Sequence, residues 1–91
     1  MDYGWDELGR RFMARSGDEL MGLVEVQRDG GAVTVLHTET APAHQGEGIA
    51  GGLTQALMDD LRARRLTVVA VCPYTQTWLS RHPDYTDLTP G

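Results

Sequence analysis

A run of glycines in the middle of the chain is a candidate ligand-binding segment. Gly46, Gly48, Gly51 and Gly52 lie at the start of a stretch with helical periodicity. Because each glycine costs roughly 1 kcal/mol of helix propensity against alanine, their presence there needs a reason. A helix start exposes backbone N–H groups and a positive dipole end, and glycine lets a ligand approach them closely. The pattern predicts a phosphate or pyrophosphate site; a flexible turn ahead of an ordinary core helix is the alternative.

The residues that flank the glycines narrow the kind of phosphate loop. No Gly-Lys pair followed by Ser or Thr occurs, which excludes a P-loop. Residues 46–51 fit the Gly-x-Gly-x-x-Gly spacing of dinucleotide-binding folds, but a chain of 91 residues is too short for the rest of such a fold.

Cys72 is the single cysteine, and it lies where a short helix is predicted to begin. A helix N-terminus lowers the pKa of a thiol and makes it a better nucleophile. A buried cysteine that acts only as a small apolar side chain is the alternative. One cysteine cannot form an internal disulfide, which suits a reducing compartment, and we expect a cytoplasmic protein.

His37 and Glu39 are two residues apart on a predicted strand, so their side chains project from the same face. A histidine and a carboxylate near a helix start can act as a general base and its orienting partner toward an amine. A polar pair on a half-exposed strand is the alternative. His44 adjoins the glycine loop and can meet a phosphate there, whereas His82 is expected to cap a helix or lie at the surface. Because the histidines and Cys72 lack the spacing of metal ligands, we predict no metal site.

These residues must be positioned by a small number of strands. Alternating apolar residues predict strands at 11–15, 19–27 and 32–39, with a hairpin turn at 28–31. On strand 19–27, one face is predicted to hold Leu20, Gly22, Val24 and Val26. On strand 32–39, one face is predicted to hold Val33, Val35, His37 and Glu39. Residues 1–9 are predicted to be a loose arm or a single helical turn, and residues 86–91 a loose tail.

The second half of the chain is predicted to form a crossover connection. Apolar residues four apart predict a helix over 46–65, and they are Ile49, Leu53, Leu57 and Leu61. The β-branched run at 66–71 predicts a strand buried on both faces and parallel to 32–39. A short helix is predicted near 75–81. The order is β-β-β-α-β-α in one α/β (α+β) domain over 1–91, with antiparallel hairpins and one parallel strand pair.

Composition excludes several classes of partner. Eight basic residues against thirteen acidic ones give a net charge of −5, which argues against nucleic acid. No apolar run is long enough for a membrane span, and the acidic first residues do not resemble a signal peptide. All the basic residues are arginine, so an anionic ligand must be held by local features such as the helix start.

Three motifs occur in a fixed order: His37-Thr38-Glu39, then Gln45-Gly46-Glu47-Gly48-Ile49-Ala50, then Cys72-Pro73-Tyr74. The middle one fits the pattern Gln/Arg-x-x-Gly-x-Gly/Ala, the pyrophosphate loop of acyl-CoA-binding enzymes. Together they resemble the short, single-domain members of the GNAT N-acetyltransferase superfamily over about residues 10–88. The resemblance implies a truncated GNAT-like fold and transfer of an acetyl group from acetyl-CoA to an amine on a small molecule or a protein. A non-catalytic CoA- or acyl-CoA-binding module or sensor is the alternative.

The resemblance also implies roles for residues. It assigns coenzyme A binding to one strand end, the loop and one aromatic residue: Thr38, Glu39, Thr40, Gln45, Gly46, Glu47, Gly48, Ile49, Ala50, Gly51 and Tyr74. It marks Cys72 as a candidate catalytic residue, beside the candidate bases Glu39 and His37. Because a carboxylate repels an anion, the Glu47 side chain is expected to point outward to water. A backbone N–H of strand 32–39, where the parallel strands splay apart in this superfamily, is expected to polarise the acetyl carbonyl.

Overall fold

A computed structural model describes residues 1–89. Five strands form one sheet in the order β1-β2-β3-β4-β5, antiparallel from β1 to β4 and parallel between β4 and β5. The elements are β1 (Asp2–Trp5), β2 (Arg11–Ser16), β3 (Glu19–Asp29), β4 (Ala32–Thr40), α1 (Ile49–Ala63), β5 (Thr67–Ala70) and α2 (Pro73–Ser80), with 3-10 segments at Pro42–His44 and Pro83–Leu88. The predicted mixed fold with one parallel strand pair is confirmed.

Helix α1 covers one face of the sheet. Its apolar stripe is buried as predicted, with Leu53 and Leu57 fully inaccessible to solvent. The stripe packs on the valines of the central strands, which are Val24, Val26, Val33 and Val35. Full burial of a leucine contributes about 1.5–3 kcal/mol, so this contact holds the two layers together.

Gly22 allows the start of α1 to approach β3 closely. A Cβ atom at this position would lie 2.9 Å from the carbonyl oxygen of Glu39 and 3.2 Å from Cγ2 of Ile49. The contact with the backbone oxygen is too short for a Cβ atom unless the backbone shifts, and the contact with Ile49 would require its side chain to move slightly. A glycine inside an otherwise apolar strand often marks such a close approach, and here it sets the position of the glycine loop against the end of β4.

The N-terminal segment differs from the prediction. Residues 1–9 do not form a loose arm or a helical turn, because Asp2–Trp5 pairs with β2 as an edge strand. Trp5 contacts the ring of Phe12, with centroids 5.0 Å apart, and its Nε1 donates a hydrogen bond to Asp60 of α1 at 3.1 Å. These contacts come from distant parts of the chain, which a local pattern of four residues does not reveal.

The C-terminal segment is also more ordered than predicted. In the Pro83–Leu88 segment, Tyr85 and Leu88 are buried. The Tyr85 hydroxyl donates to Asp59 at 2.6 Å, and the Arg62 guanidinium lies 4.3 Å from the centre of the tyrosine ring. The loose tail predicted at 86–91 is therefore wrong for 86–88, and residues 90–91 lie outside the described part of the chain.

Two helices begin at positions that differ from the prediction. Helix α1 begins at Ile49 rather than Gly46, because Gly46 and Gly48 have positive φ angles of 84° and 77°, outside the helical region. Helix α2 begins at Pro73, so that Cys72 is its N-cap. The free N–H groups of both helix starts are therefore displaced from the predicted positions by two or three residues.

Two β-bulges change which residues share a face. On β4, Val35 pairs with Val26 and His37 pairs with Glu25, so Leu36 has no partner on β3. The extra residue reverses the alternation that follows it. The prediction that His37 and Glu39 share a face with Val33 and Val35 is therefore wrong. They lie on the sheet face opposite α1.

The second bulge has the same effect on β3. Ala14 pairs with Gly22 and Arg15 pairs with Leu20, which leaves Met21 without a partner on β2. Met21 is buried, whereas Leu20, predicted to share a face with Gly22, is exposed.

Candidate active site

The glycine loop ends in a row of backbone N–H groups that have no acceptor. The first backbone hydrogen bond of α1 runs from the N–H of Gly52 to the carbonyl of Gly48, at 3.2 Å. No side chain in the described part of the chain caps the start of the helix. Within residues 1–89, the N–H groups of Ile49, Ala50 and Gly51 therefore have no hydrogen-bond partner. Unpaired amides at the positive end of a helix dipole are the donors that a phosphate requires.

The two glycines that precede these amides leave open space beside the backbone. A Cβ atom at Gly46 or Gly48 would meet no atom within 4 Å, so a ligand can reach the backbone at both positions. Their positive φ angles also require glycine, because other residues are strained there. The loop therefore offers the hydrogen-bond donors that a pyrophosphate needs, and its two glycines leave space for that group to approach.

His44 lies between two carboxylates at the start of the loop. Its Nδ1 is 3.1 Å from Oε1 of Glu47, and its Nε2 forms a close ion pair with Glu19 at the start of β3. The hydrogen bond to Glu19, followed by that to Glu47, raises the pKa of His44 above the ordinary histidine value. Both ring nitrogens are occupied, so His44 does not reach toward a phosphate in this structure.

Strands β4 and β5 separate beside the loop. Their register ends at the pair Val35 and Ala70, and the Val35 carbonyl accepts the N–H groups of both Val71 and Cys72 at 3.0 Å. Strand β4 continues to Thr40, whereas β5 has ended. The part of β4 that follows the Leu36 bulge therefore has no paired strand on the β5 side, and we call this place, which begins at Cys72, the gap.

Cys72 lies at this gap, buried at the N-terminus of α2. Its Sγ is 3.6 Å from the Thr38 hydroxyl oxygen. Burial acts to raise the pKa of the thiol, but the Thr75 N–H and the Thr38 hydroxyl favour the thiolate, with further help from the Thr75 hydroxyl and the Tyr74 N–H. The net pKa is below the ordinary cysteine value. The Thr75 hydroxyl is fully buried beside this thiol, and no oxygen or nitrogen atom within residues 1–89 forms a hydrogen bond with it.

His37 and Glu39 form a second, separate pair. Nε2 of His37 is 3.1 Å from Oε1 of Glu39, and both side chains are more than half exposed. Thr38 projects between them to the other face of β4, toward Cys72. The structure thus joins Thr38 to Cys72 and His37 to Glu39, but it places the two pairs on opposite faces of the strand.

A cavity of about 590 Å³ follows the end of β4. Several of the predicted site residues line it together: His37, Thr38, Glu39, Thr40 and Gln45. A larger cavity of about 770 Å³ lies farther along the sheet, beside Arg10, Arg28 and Leu36, and none of the predicted site residues lines it. We therefore take the smaller cavity as part of the site.

The Tyr74 side chain reaches from the start of α2 to the start of α1. A Cβ atom at Gly51 would lie 3.6 Å from the Tyr74 hydroxyl oxygen, which places this hydroxyl beside the first turn of α1. His82, in contrast, is at the end of α2, where its Nδ1 is 2.6 Å from the Trp78 carbonyl. That contact fits the predicted capping role. Within residues 1–89, no three His, Cys, Asp or Glu side chains come together as a metal site.

Sequence reasoning missed three contributors to the site. Gly22 sets the position of α1, Thr75 adds a buried hydroxyl beside Cys72, and Glu19 pairs with His44. Only Gly22 has a local signal, since glycine interrupts an apolar strand there. The other two reach the site through tertiary contacts.

A family model described as GCN5-related N-acetyl-transferase matches residues 11–88. The chain belongs to the GCN5-related N-acetyltransferase family. The match includes the glycine loop, Cys72 and both strands that border the gap, and it agrees with the resemblance seen in the three motifs. None of the curated proteins matches this GNAT chain significantly.

Solved structures share the GNAT fold. A GCN5-like protein of Staphylococcus aureus is 19% identical, with a TM-score of 0.69 over 99% of this chain and 88% of its own. The ribosomal-protein-S18-alanine N-acetyltransferase of Escherichia coli is 16% identical, with a TM-score of 0.64 over 81% of this chain and 49% of its own. A Mycobacterium tuberculosis protein in complex with CoA and NLQ is 18% identical, with a TM-score of 0.63 over 84% and 48%. This GNAT chain spans about half the length of the last two.

No helix within residues 1–89 has the length and apolar character that a membrane span requires.

Proposed function

We propose that this protein is an acetyl-CoA-dependent N-acetyltransferase that transfers the acetyl group to an amine. Membership of the GNAT family implies acetyl transfer from acetyl-CoA. The observation that carries the proposal for this chain is the row of unpaired amides from Ile49 to Gly51 behind an open glycine loop. The solved M. tuberculosis relative contains CoA, which supports the same ligand here.

The pyrophosphate of CoA would accept hydrogen bonds from these amides. The gap beside the end of β4 would receive the arm that carries the thioester, because backbone groups there face no neighbouring strand. Thr38, Thr40 and Gln45 line the adjoining cavity and offer polar contacts. Tyr74 lies beside the same helix start. Cys72 and the two hydroxyls around it lie at the mouth of the gap.

Two chemical routes fit the two residue pairs. In the covalent route, the Cys72 thiolate attacks the acetyl carbonyl and releases the CoA thiolate; an amine then attacks the acetyl-cysteine, the cysteine thiolate leaves, and the amine proton passes to the CoA thiolate or to water. In the direct route, the amine attacks the thioester itself, the CoA thiolate leaves, and Glu39, oriented by His37, takes the amine proton. Because the pairs lie on opposite faces of β4, we treat the routes as alternatives that single substitutions separate.

The acceptor amine belongs to a small molecule or to a protein. The sheet face opposite α1 carries His37 and Glu39 and is open, so a side chain or terminus of a protein can approach it. The E. coli relative acts on a ribosomal protein, as its name states, but it is about twice as long. Its acceptor is therefore not assigned to this chain.

Calorimetry and a thiol-release assay test the proposal together. CoA should bind with measurable heat, and at 100 times its Kd it should stabilise the fold by about 2.7 kcal/mol. Acetyl-CoA with a panel of amines should release free thiol and form the acetylated amine. Absence of CoA binding would overturn the proposal, and binding without turnover on every amine would favour the non-catalytic module.

A single substitution tests the contact that carries the proposal. Ala50→Pro removes one N–H group that has no partner in α1, and proline is tolerated in a first turn. Losing a hydrogen bond to a charged group costs about 1.5–3 kcal/mol, so affinity for CoA should fall about 10- to 150-fold. The melting temperature without ligand is the control for folding. An unchanged affinity would show that this amide does not contact the phosphate.

A further inference from the structure

We propose that His44 is a positioning residue that holds the Glu47 carboxylate away from the pyrophosphate site and fixes the loop to the start of β3. This inference rests on the proposed function, because it concerns how the same loop receives CoA. His44 lies outside the three sequence motifs, so none of them indicates this role of its protonated imidazole.

Glu47 places a negative charge inside a loop for anions. It stands between Gly46 and Gly48, whose open backbone forms the approach to the free amides. The two phosphates of CoA would carry negative charge into the same few ångströms. Without a counter-ion, the carboxylate would repel them, and it would also compete for the same N–H donors.

The observed contacts remove that conflict. Nδ1 of His44 lies 3.1 and 3.2 Å from the two carboxylate oxygens of Glu47, and within residues 1–89 this carboxylate accepts no hydrogen bond from the amides of Ile49 to Gly51. Nε2 binds Glu19 on the opposite side of the ring. The imidazole therefore connects the loop to β3, and with the proton present both of its nitrogens donate.

The charge of this cluster depends on one proton. Glu19 on β3 and Glu47 in the loop are the charged groups that form ion pairs with His44 within residues 1–89. Two carboxylates and an imidazolium sum to −1, and loss of the proton changes the sum to −2. The raised pKa of His44 favours the protonated state to a higher pH than for a free histidine. Affinity for the anionic ligand should therefore be high while His44 is protonated and fall as the pH rises through its pKa.

A double-mutant cycle tests the mechanism by calorimetry, with 3′-dephospho-CoA as the probe. This probe keeps the pyrophosphate but lacks the phosphate monoester, whose own second pKa of about 6 would confuse the profile. His44→Gln should weaken binding about tenfold at pH 6.5. Glu47→Gln should bind at least as well as the wild type, and in the double variant most of the loss should disappear. His44→Arg should retain affinity and lose the pH dependence between pH 6 and 9. Glu7→Gln, in the β1–β2 turn, is the control for net charge.

The outcomes separate this inference from the function on which it rests. If the wild type binds the probe but His44→Gln weakens binding equally with and without the Glu47→Gln substitution, the inference is overturned and the function stands. An unchanged pH profile in His44→Gln would also overturn it. If the wild type binds neither CoA nor the probe, the proposed function fails first. Melting curves of each variant show whether the fold is retained. If His44→Gln is unstable, the affinity and the pH profile of His44→Arg still test the inference.

Discussion

At the scale of residues, the chemistry depends on which side chains the sheet brings together. Thr38 approaches Cys72 at 3.6 Å from one face of β4, while His37 and Glu39 pair at 3.1 Å on the other. The first pair favours a thiolate nucleophile, and the second favours removal of a proton from an amine. Each route makes a different prediction for single substitutions.

Cys72→Ser tests the covalent route. If the thiolate carries the acetyl group, turnover at saturating acetyl-CoA should fall roughly 10³-fold or more, because a serine hydroxyl without a base is a poor nucleophile. Affinity for CoA measured by calorimetry should change little. Undiminished turnover would exclude an essential nucleophile.

Thr38→Val provides a finer test of the same thiol. Because the Thr38 hydroxyl helps to lower the pKa of Cys72, its removal should move the rise in alkylation rate to higher pH. The wild-type rise should lie below that of free cysteine, since the thiolate is the reacting form. The rate of alkylation by iodoacetamide between pH 6 and 10 gives the position of this rise in the wild type and in the variant. Thr34→Val, on the same strand, is the control. Coincident profiles would contradict the thiolate environment inferred here.

Glu39→Gln tests the direct route. If Glu39 takes the proton of the amine, turnover should fall about 10²–10⁴-fold, and the rise of rate with pH should be lost. Glu25→Gln is a matched control, because Glu25 pairs with His37 in the sheet register and lies on the same face. A pH–rate profile that Glu39→Gln leaves unchanged would assign the base role elsewhere.

At the scale of elements, the site exists because α1 begins close to the end of β4. Two features produce that arrangement: the gap that follows the Val35–Ala70 pair, and the close approach of α1 over Gly22. The glycine loop has no regular structure of its own between the 3-10 turn and Ile49. Its position is therefore set by the packing of the helix that follows it and by the contacts of His44 with Glu19 and Glu47.

Gly22→Ala should loosen this packing. The new methyl group would lie 2.9 Å from the Glu39 carbonyl and 3.2 Å from Ile49, and overpacking of this kind costs about 1–3 kcal/mol. For a domain of this size, each 1 kcal/mol lowers Tm by about 4–8 °C. Gly4→Ala is the control, because a Cβ in strand β1 meets no atom within 4 Å. Equal melting temperatures for the two variants would refute the proposed contact.

At the scale of the whole molecule, the N-terminal strand and the C-terminal 3-10 segment both contact helix α1. Trp5 of β1 donates to Asp60, Tyr85 donates to Asp59, and Arg62 pairs with Asp87. A small domain buries a modest fraction of its surface, so such contacts have a large effect on its stability. They keep α1, and with it the proposed pyrophosphate site, in register with the sheet.

Tyr85→Phe tests the C-terminal contact through its pH dependence. The hydrogen bond to Asp59 raises the pKa of Tyr85, so this contribution to stability is complete below the pKa of an unfolded tyrosine, about 10, and is lost as the pH rises through the folded value. At pH 7 the variant should melt about 4–8 °C lower, and the difference should shrink above pH 10. Thermal melts from pH 7 to 11 measure this. Tyr3→Phe is the control, and a difference that stays constant with pH would contradict the assignment.

Local patterns in the sequence determined much of this protein. The four-residue spacing from Ile49 to Leu61 predicted α1, alternation predicted three strands, and the glycines marked the loop that we propose as the pyrophosphate site. The motifs at 37–39, 45–50 and 72–74 indicated the family. These inferences hold because helix and strand periodicity and glycine conformation depend on residues close together in the chain.

Tertiary structure alone decided the rest. The Leu36 bulge moved His37 and Glu39 to the face opposite α1, and a bulge depends on pairing with another strand. Residues 2–5 form a strand because they pair with β2, and Trp5 donates a hydrogen bond to Asp60 of α1. His44 meets Glu19 across 25 positions of sequence, a contact that no local pattern contains. Periodicity fixes which residues an element can bury, but the relative position of two elements is a property of how they pack.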